Sequence, residues 1–180
     1  TVECDAVPVA EVLTSSDNCD DASSVSMTEE VTNQTCAGAY TLTRTWTATD
    51  CAGNATEHVQ TVTVIDTTAP TIDLEASNLN VECDGAGNND ALNAWLASNG
   101  GAAASDACNG VTWSNDFDAL SDACGASGMA TVTFTATDDC GNSSSTTAMF
   151  TIEDTTAPTI DMAAMDATVE CDGAGNAADL

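Results

Sequence analysis

The run TVTFTAT at 131–137 alternates strictly, placing Val132, Phe134 and Ala136 on one face and threonines on the other, the pattern of a half-buried strand. The stretch 40–49 repeats the scheme, with Tyr40, Leu42, Trp46 and Ala48 predicted inward. Val62 and Val64 correspond to Phe150 and Ile152 in a further pair of strands. Threonine suits the outward face because its β-branched side chain favours extended backbone. A three-to-four residue period occurs at 89–98, NDALNAWLAS, where Leu92, Trp95 and Leu96 share a face and the following Asn-Gly-Gly stops the helix. Arg44 interrupts the inward face of 40–49 where the second copy has Val132, and its head is expected in water at the strand end rather than against a buried carboxylate.

These patterns recur. The string VECD occurs with cysteines at 4, 83 and 171, roughly 80 to 90 residues apart, the size of an immunoglobulin-type sandwich. VTVIDTTAPTIDL at 62–74 parallels FTIEDTTAPTIDM at 150–162, and TWTATDCAGN at 45–54 parallels TFTATDDCGN at 133–142. The expected organisation is a first module at 1–68, a linker and start of the next at 69–80, a second module at 81–156, and a linker with the first strand of a truncated third at 157–180. The fold class expected is all-β: tandem immunoglobulin-like β-sandwiches, each with two intradomain disulfides, and one short helix in the second module. The chain is expected to be cut from a longer array.

Composition narrows the chemistry. One Lys or Arg against 29 Asp and Glu gives a formal charge of -28, which repels nucleic acid and anionic lipid and favours cations. No apolar run approaches the roughly 20 residues that cross a bilayer, and neither terminus resembles a signal peptide, so no membrane insertion is expected and any targeting signal or anchor is expected outside this stretch. Nine cysteines with 4% aromatic residues suggest small cores supplemented by disulfides in an oxidising, extracellular or cell-surface location. Within each repeat three pairings are open. Sandwich topology, which puts the loop between the second and third strands at the same end as that between the last two, favours Cys19 with Cys51 and Cys108 with Cys140. Cys4 with Cys36 and Cys83 with Cys124 remain, and Cys171 is left unpaired. Zinc is a poor fit, since the cysteines stand singly and His58 is the lone histidine.

The set VECDGAGN, AWLASNGGA, SDAC, VTW, LSDACGASG, VTFTATDDCGN and FTIEDTTAP resembles the cysteine-containing hyalin-repeat (HYR-like) immunoglobulin-type modules of giant secreted bacterial surface proteins. It covers the second repeat; the first lacks the GAGN segment and the helix. The resemblance implies a β-sandwich serving as spacer or adhesive repeat and identifies no ligand. Neighbouring modules of the same array are the expected partners, with self-assembly into a filament or a surface glycan as further options. The alternative is a carbohydrate- or surface-binding module appended to a secreted enzyme or adhesin tip. A catalytic role is not expected: no serine or cysteine is arranged with His58, and no pair of acids accompanies an aromatic platform.

The acids gather at the joints. Asp66 and Asp73 flank TTAPT in one linker, Asp154 and Asp161 in the next. In a sandwich the linker reaches the loops of the following module that carry Asp106, Asp138, Asp139 and Asn142, so Asp66 or Asp73 with Asp106 and Asp138 is the expected calcium site, calcium taking six to eight oxygen ligands. A second candidate is DGAGNND at 84–90, with Asp84, Asn88 and Asp90, which lacks EF-hand spacing and loses its last acid to Ala178 in the third copy. Asn33, Asn54 and Asn142 open Asn-x-Ser/Thr triplets. DTTA resembles an Asp-Thr O-glycan acceptor of gliding bacteria, which makes Thr67 and Thr155 candidates for modification.

Overall fold

The computed structural model describes residues 1–19, 23–121, 123–168 and 170. Cys171 lies outside the described residues. The strands are β1 (Val2–Glu3), β2 (Ser24–Cys36), β3 (Ala39–Thr49), β4 (Ala55–Ile65), β5 (Thr71–Leu74), β6 (Leu79–Glu82), β7 (Ala103–Ser105), β8 (Val111–Asn115), β9 (Gly128–Asp138) and β10 (Ser143–Glu153), with helix α1 (Asn89–Ala97) between β6 and β7. The fold is mostly β, in a sandwich-like arrangement. One four-stranded sheet has the order β1-β4-β3-β2, a second has β6-β10-β9-β8, and β5 pairs with β7. The two larger sheets repeat one topology: a short opening strand lies parallel to the last strand, Val2 opposite Val64 in one and Val81 opposite Ile152 in the other.

Among the described residues, most buried apolar side chains form two clusters. Leu42, Val62 and Val64 carry the first, with Val2, Cys4, Val7 and Tyr40 packed around them. Val132, Phe134, Ala148, Phe150, Ile152, Leu92 and Trp95 form the second, drawn entirely from residues after the first linker. Val132, Phe134 and Phe150 are fully enclosed, and each such side chain contributes about 1.5–3 kcal/mol by leaving water. The predicted alternation of β3, β4, β9 and β10 therefore matches the burial of these strands. The helix also lies where the periodicity places it. Trp95 is fixed at both ends: its ring meets Phe134 edge-on at 5.2 Å, and its Nε1 donates to the Ser77 carbonyl at 3.0 Å.

Arg44 departs from expectation. It is buried on β3 between its two cross-strand neighbours Glu29 and Gln60. Its Nε donates to Glu29 Oε1 at 2.8 Å, and NH2 donates to the Pro8 carbonyl at 2.7 Å. The irregular segment after β1 lies across this face, since Trp46 Nε1 donates to the Glu11 carbonyl at 3.0 Å. In the first repeat, a coil fastened by two side chains thus covers the sheet; in the second, α1 performs that task.

The disulfides require a larger correction. Cys4 pairs with Cys108 and Cys36 with Cys140, with Cα separations of 5.9 and 5.2 Å. Both run between the repeats, so the expected intradomain bridges Cys4–Cys36 and Cys108–Cys140 are replaced. Cys19, Cys83 and Cys124 are not in disulfides, which also removes the expected pairs Cys19–Cys51 and Cys83–Cys124. The expected pairing supposes that each repeat closes on itself. In the structure, two cysteines of the first repeat bond to two of the second.

Candidate functional site

The site is the joint between the repeats, and short-range hydrogen bonding builds each part of it. The turn joining β9 to β10 is held by Asp138, whose Oδ1 accepts the backbone N–H groups of Cys140 and Asn142 at 2.8 and 2.9 Å. Asn142 Nδ2 donates to the other carboxylate oxygen at 2.9 Å. These are turn contacts that Asp and Asn make readily. Asp106 shapes the loop before β8 in the same manner, accepting from the backbone of Cys108 and Asn109 at 2.9 and 3.1 Å.

The first repeat delivers Asp66, immediately after β4. Glu3, on the neighbouring opening strand, accepts from the Thr67 hydroxyl at 2.6 Å and its N–H at 3.1 Å, which fixes the direction of the exit. Asp66 then enters the loops of the second repeat. Its Oδ2 accepts from Asn109 Nδ2, and its carbonyl accepts from Asn142 Nδ2 at 3.2 Å. Gly38 lies against it, where an added Cβ would stand 2.8 Å from Asp66 Cβ. The Cys4–Cys108 and Cys36–Cys140 bridges join the same two ends.

Asp66, Asp106 and Asp138 come together with carboxylate oxygens within 4.8 Å of one another. Asp66 is 7% exposed and Asp138 4%. Desolvation, followed by repulsion from Asp106, Asp138 and Glu3, pushes the Asp66 carboxyl above its ordinary range despite the Thr68 N–H bond that opposes this. Asp138 is also raised by desolvation, but the hydrogen bonds from Asn142 and from the Cys140 and Gly141 backbone outweigh it and hold the group below its ordinary value. The side-chain Oδ1 of Asn109 is buried without a hydrogen-bond partner. Cys4 and Cys108 also lie close to Asp66, but their sulfurs are joined to each other.

Asp73, the alternative to Asp66, is exposed on β5 and is not in this group. Asp139 is exposed next to Asp138. In the DGAGNND loop, Asp84 Oδ1 accepts from Ala86 N and Asn88 N at 2.7 and 3.0 Å, and Asn88 Oδ1 accepts from Asp84 N at 3.1 Å. Asp90 sits in the first turn of α1. Those internal bonds account for the loop's shape. Among the glycan candidates, Asn33 is exposed with a φ of 52°. Asn54 and Asn142 spend their amide nitrogens on Asp50 and Asp138. Thr67 and Thr155 donate their hydroxyls to Glu3 and Glu82. Trp46 and Trp95 are buried, and Trp113 is half-buried against the second core. Sequence reasoning missed Gly38, Glu3 and Asn109. Asn109 directly follows the cysteine of SDAC, and that adjacency was the available signal.

Residues 1–64 match the family model of the HYR-like domain with 4 cysteines. The family resemblance holds, and the match falls on the first repeat, which the motifs set apart from the four-cysteine form for lack of the GAGN segment and the helix. The search among curated proteins returned no match.

Proposed function

With an HYR-like domain in residues 1–64 as the premise, we propose that the chain is a non-catalytic spacer segment of an extracellular stalk or filament whose joints are rigid, fixed by paired disulfides and by calcium. The observation that carries this reading is the convergence of Asp66, Asp106 and Asp138 between two covalent bridges. Three carboxylates from two repeats, two of them buried, repel one another. The chain's one Arg or Lys, Arg44, is committed to Glu29 on a sheet of the first repeat. A divalent cation would relieve that repulsion and tie the linker to both loops. Asn109 supplies a further oxygen if its amide is turned over, since the placement of N and O in an amide follows its surroundings. Oxygen ligands of this type suit calcium. The disulfides fit an oxidising exterior.

Calorimetric titration of the chain with calcium, beside the Asp106→Asn variant, tests the metal. Binding by the parent and at least tenfold weaker binding by the variant are expected. Free calcium at a hundredfold over Kd should add about 2.7 kcal/mol to stability. No heat at millimolar calcium, together with a melting temperature unchanged by chelator, would remove calcium from the account and leave the disulfides as the source of rigidity.

A further inference from the structure

The far end of the second repeat reproduces the exit clamp that the first repeat presents to the second. Glu82 follows Val81 on the opening strand β6 as Glu3 follows Val2 on β1, and Val81 and Val2 occupy the same register against the last strand. Glu82 accepts from the Thr155 hydroxyl at 2.7 Å and its N–H at 3.0 Å, as Glu3 does from Thr67. Asp154 Oδ1 accepts from Thr156 N at 3.1 Å, matching Asp66 Oδ1 and Thr68 N at 3.2 Å. The exit of the second repeat is therefore already set in the geometry that, in the first, drives Asp66 into its neighbour. Two things differ. Asp154 is exposed where Asp66 is buried, and Cys83 and Cys124, the counterparts of Cys4 and Cys36, carry no disulfide.

The leading end of the first repeat reproduces the receiving half. Asp17 Oδ1 accepts from Cys19 N at 2.8 Å, as Asp106 does from Cys108 N. Asp50 accepts from the N–H and Nδ2 of Asn54, both at 2.7 Å, as Asp138 does from Asn142. Asp17, Asp50 and Asn54 line an open depression of about 200 Å³ with Ser15, Ser16 and Thr56. Donor and acceptor halves thus lie at opposite ends of one chain, the arrangement that propagates head to tail.

We propose that Cys83 and Cys124 form the donor half of a second double-disulfide joint, whose partner is a module of this same kind following residue 156. Its opening is written in DTTAPT at 154–159 and VECDGAGN at 169–176. Cys83 pairs with that module's counterpart of Cys108, and Cys124 with its counterpart of Cys140. For each bridge, a cysteine thiolate attacks a small-molecule or protein disulfide oxidant, giving a mixed disulfide and one released thiol. The partner thiolate then displaces the second oxidant thiol. Two cysteine protons and two electrons leave, and one oxidant disulfide becomes two thiols. The proposal rests on the first joint being disulfide-bonded and is independent of calcium.

To test it, residues 93–156 are appended after Leu180, where the third VECDGAGN copy has reached the position of Leu92, so that a complete third module results. The oxidised protein is alkylated and digested with pepsin at low pH, which suppresses exchange, and the bridged peptides are identified by mass spectrometry. In the unextended chain, Cys83 and Cys124 take up the alkylating reagent. In the extended chain both become protected and appear linked to the appended copies of Cys108 and Cys140. Linkage of Cys83 to Cys124, or alkylation of both in an extended chain whose Cys4–Cys108 and Cys36–Cys140 bridges have formed, overturns the proposal; absence of those first bridges overturns it together with the reading of the first joint. The double variant C83S, C124S in the extended chain should keep the first pair of bridges and lose only the second, which separates loss of the joint from loss of folding.

Discussion

At the scale of single residues, the structure assigns tasks that side-chain type alone does not announce. Gly100 is buried with φ 64°, and an added Cβ would lie 3.1 Å from both Phe134 Cε2 and the Ala76 Cβ. Backbone strain and crowding act in the same direction there, so Gly100→Ala should lower stability by about 1–3 kcal/mol in a urea titration; an unchanged midpoint would show that the loop relaxes freely. Arg44 teaches a different lesson. Alternation correctly places it on the inner face, but its head is held by protein acceptors and not by water at the strand end. The acceptors are Glu29 and Gln60 on the flanking strands and the Pro8 carbonyl of the covering coil, none of which a one-strand pattern can reveal. Asp66, Asp106 and Asp138 were legible because linker position and loop position in a sandwich are both written in the repeat.

At the scale of elements, strand faces and the helix were readable because burial follows a period of two or of three to four residues. The coil over the first sheet was not, since its hold depends on two long-range hydrogen bonds rather than on a period. The exit clamps are elements in their own right. Hydrogen bonds from Thr155 and Thr156 hold the Glu82 carboxyl below its ordinary 4.5, and those from Thr67 do the same for Glu3. A carboxyl lowered in the folded state contributes stability above its unfolded value and loses it as pH falls through the folded one. Carboxyl chemical shifts of Glu82 followed by NMR should give a midpoint below 4.5, and Thr155→Val should move it back upward. A midpoint at or above 4.5 in the parent would mean that the clamp does not form in solution.

At the scale of the whole molecule, the repeat was evident but its wiring was not. Each copy supplies four cysteines, which invites closure within the copy, whereas both bridges span 104 positions and join the first and third cysteines of one copy to the second and fourth of the next. Equal spans are the signature of one repeat docked on the next as a unit. The Cys4→Ser, Cys36→Ser double variant should keep both sheets, because neither core cluster requires a bridge, but broaden the angular distribution between the repeats. Small-angle scattering would register this as a change in the distance distribution beside a nearly unchanged circular dichroism spectrum. An identical scattering profile would indicate that the packing around Asp66 alone suffices to hold the two together.

The two bridges also determine what happens when the ends are pulled. Load entering near residue 1 crosses from Cys4 to Cys108 without travelling the chain between them, and 104 positions of chain, about 350 Å of extended contour, are withheld from the stretch. The segments 4–36 and 108–140 then carry the force side by side, because the second bridge rejoins them at Cys36 and Cys140. Under tension, such a tether would lengthen little and stop abruptly, behaving as a cable rather than a spring.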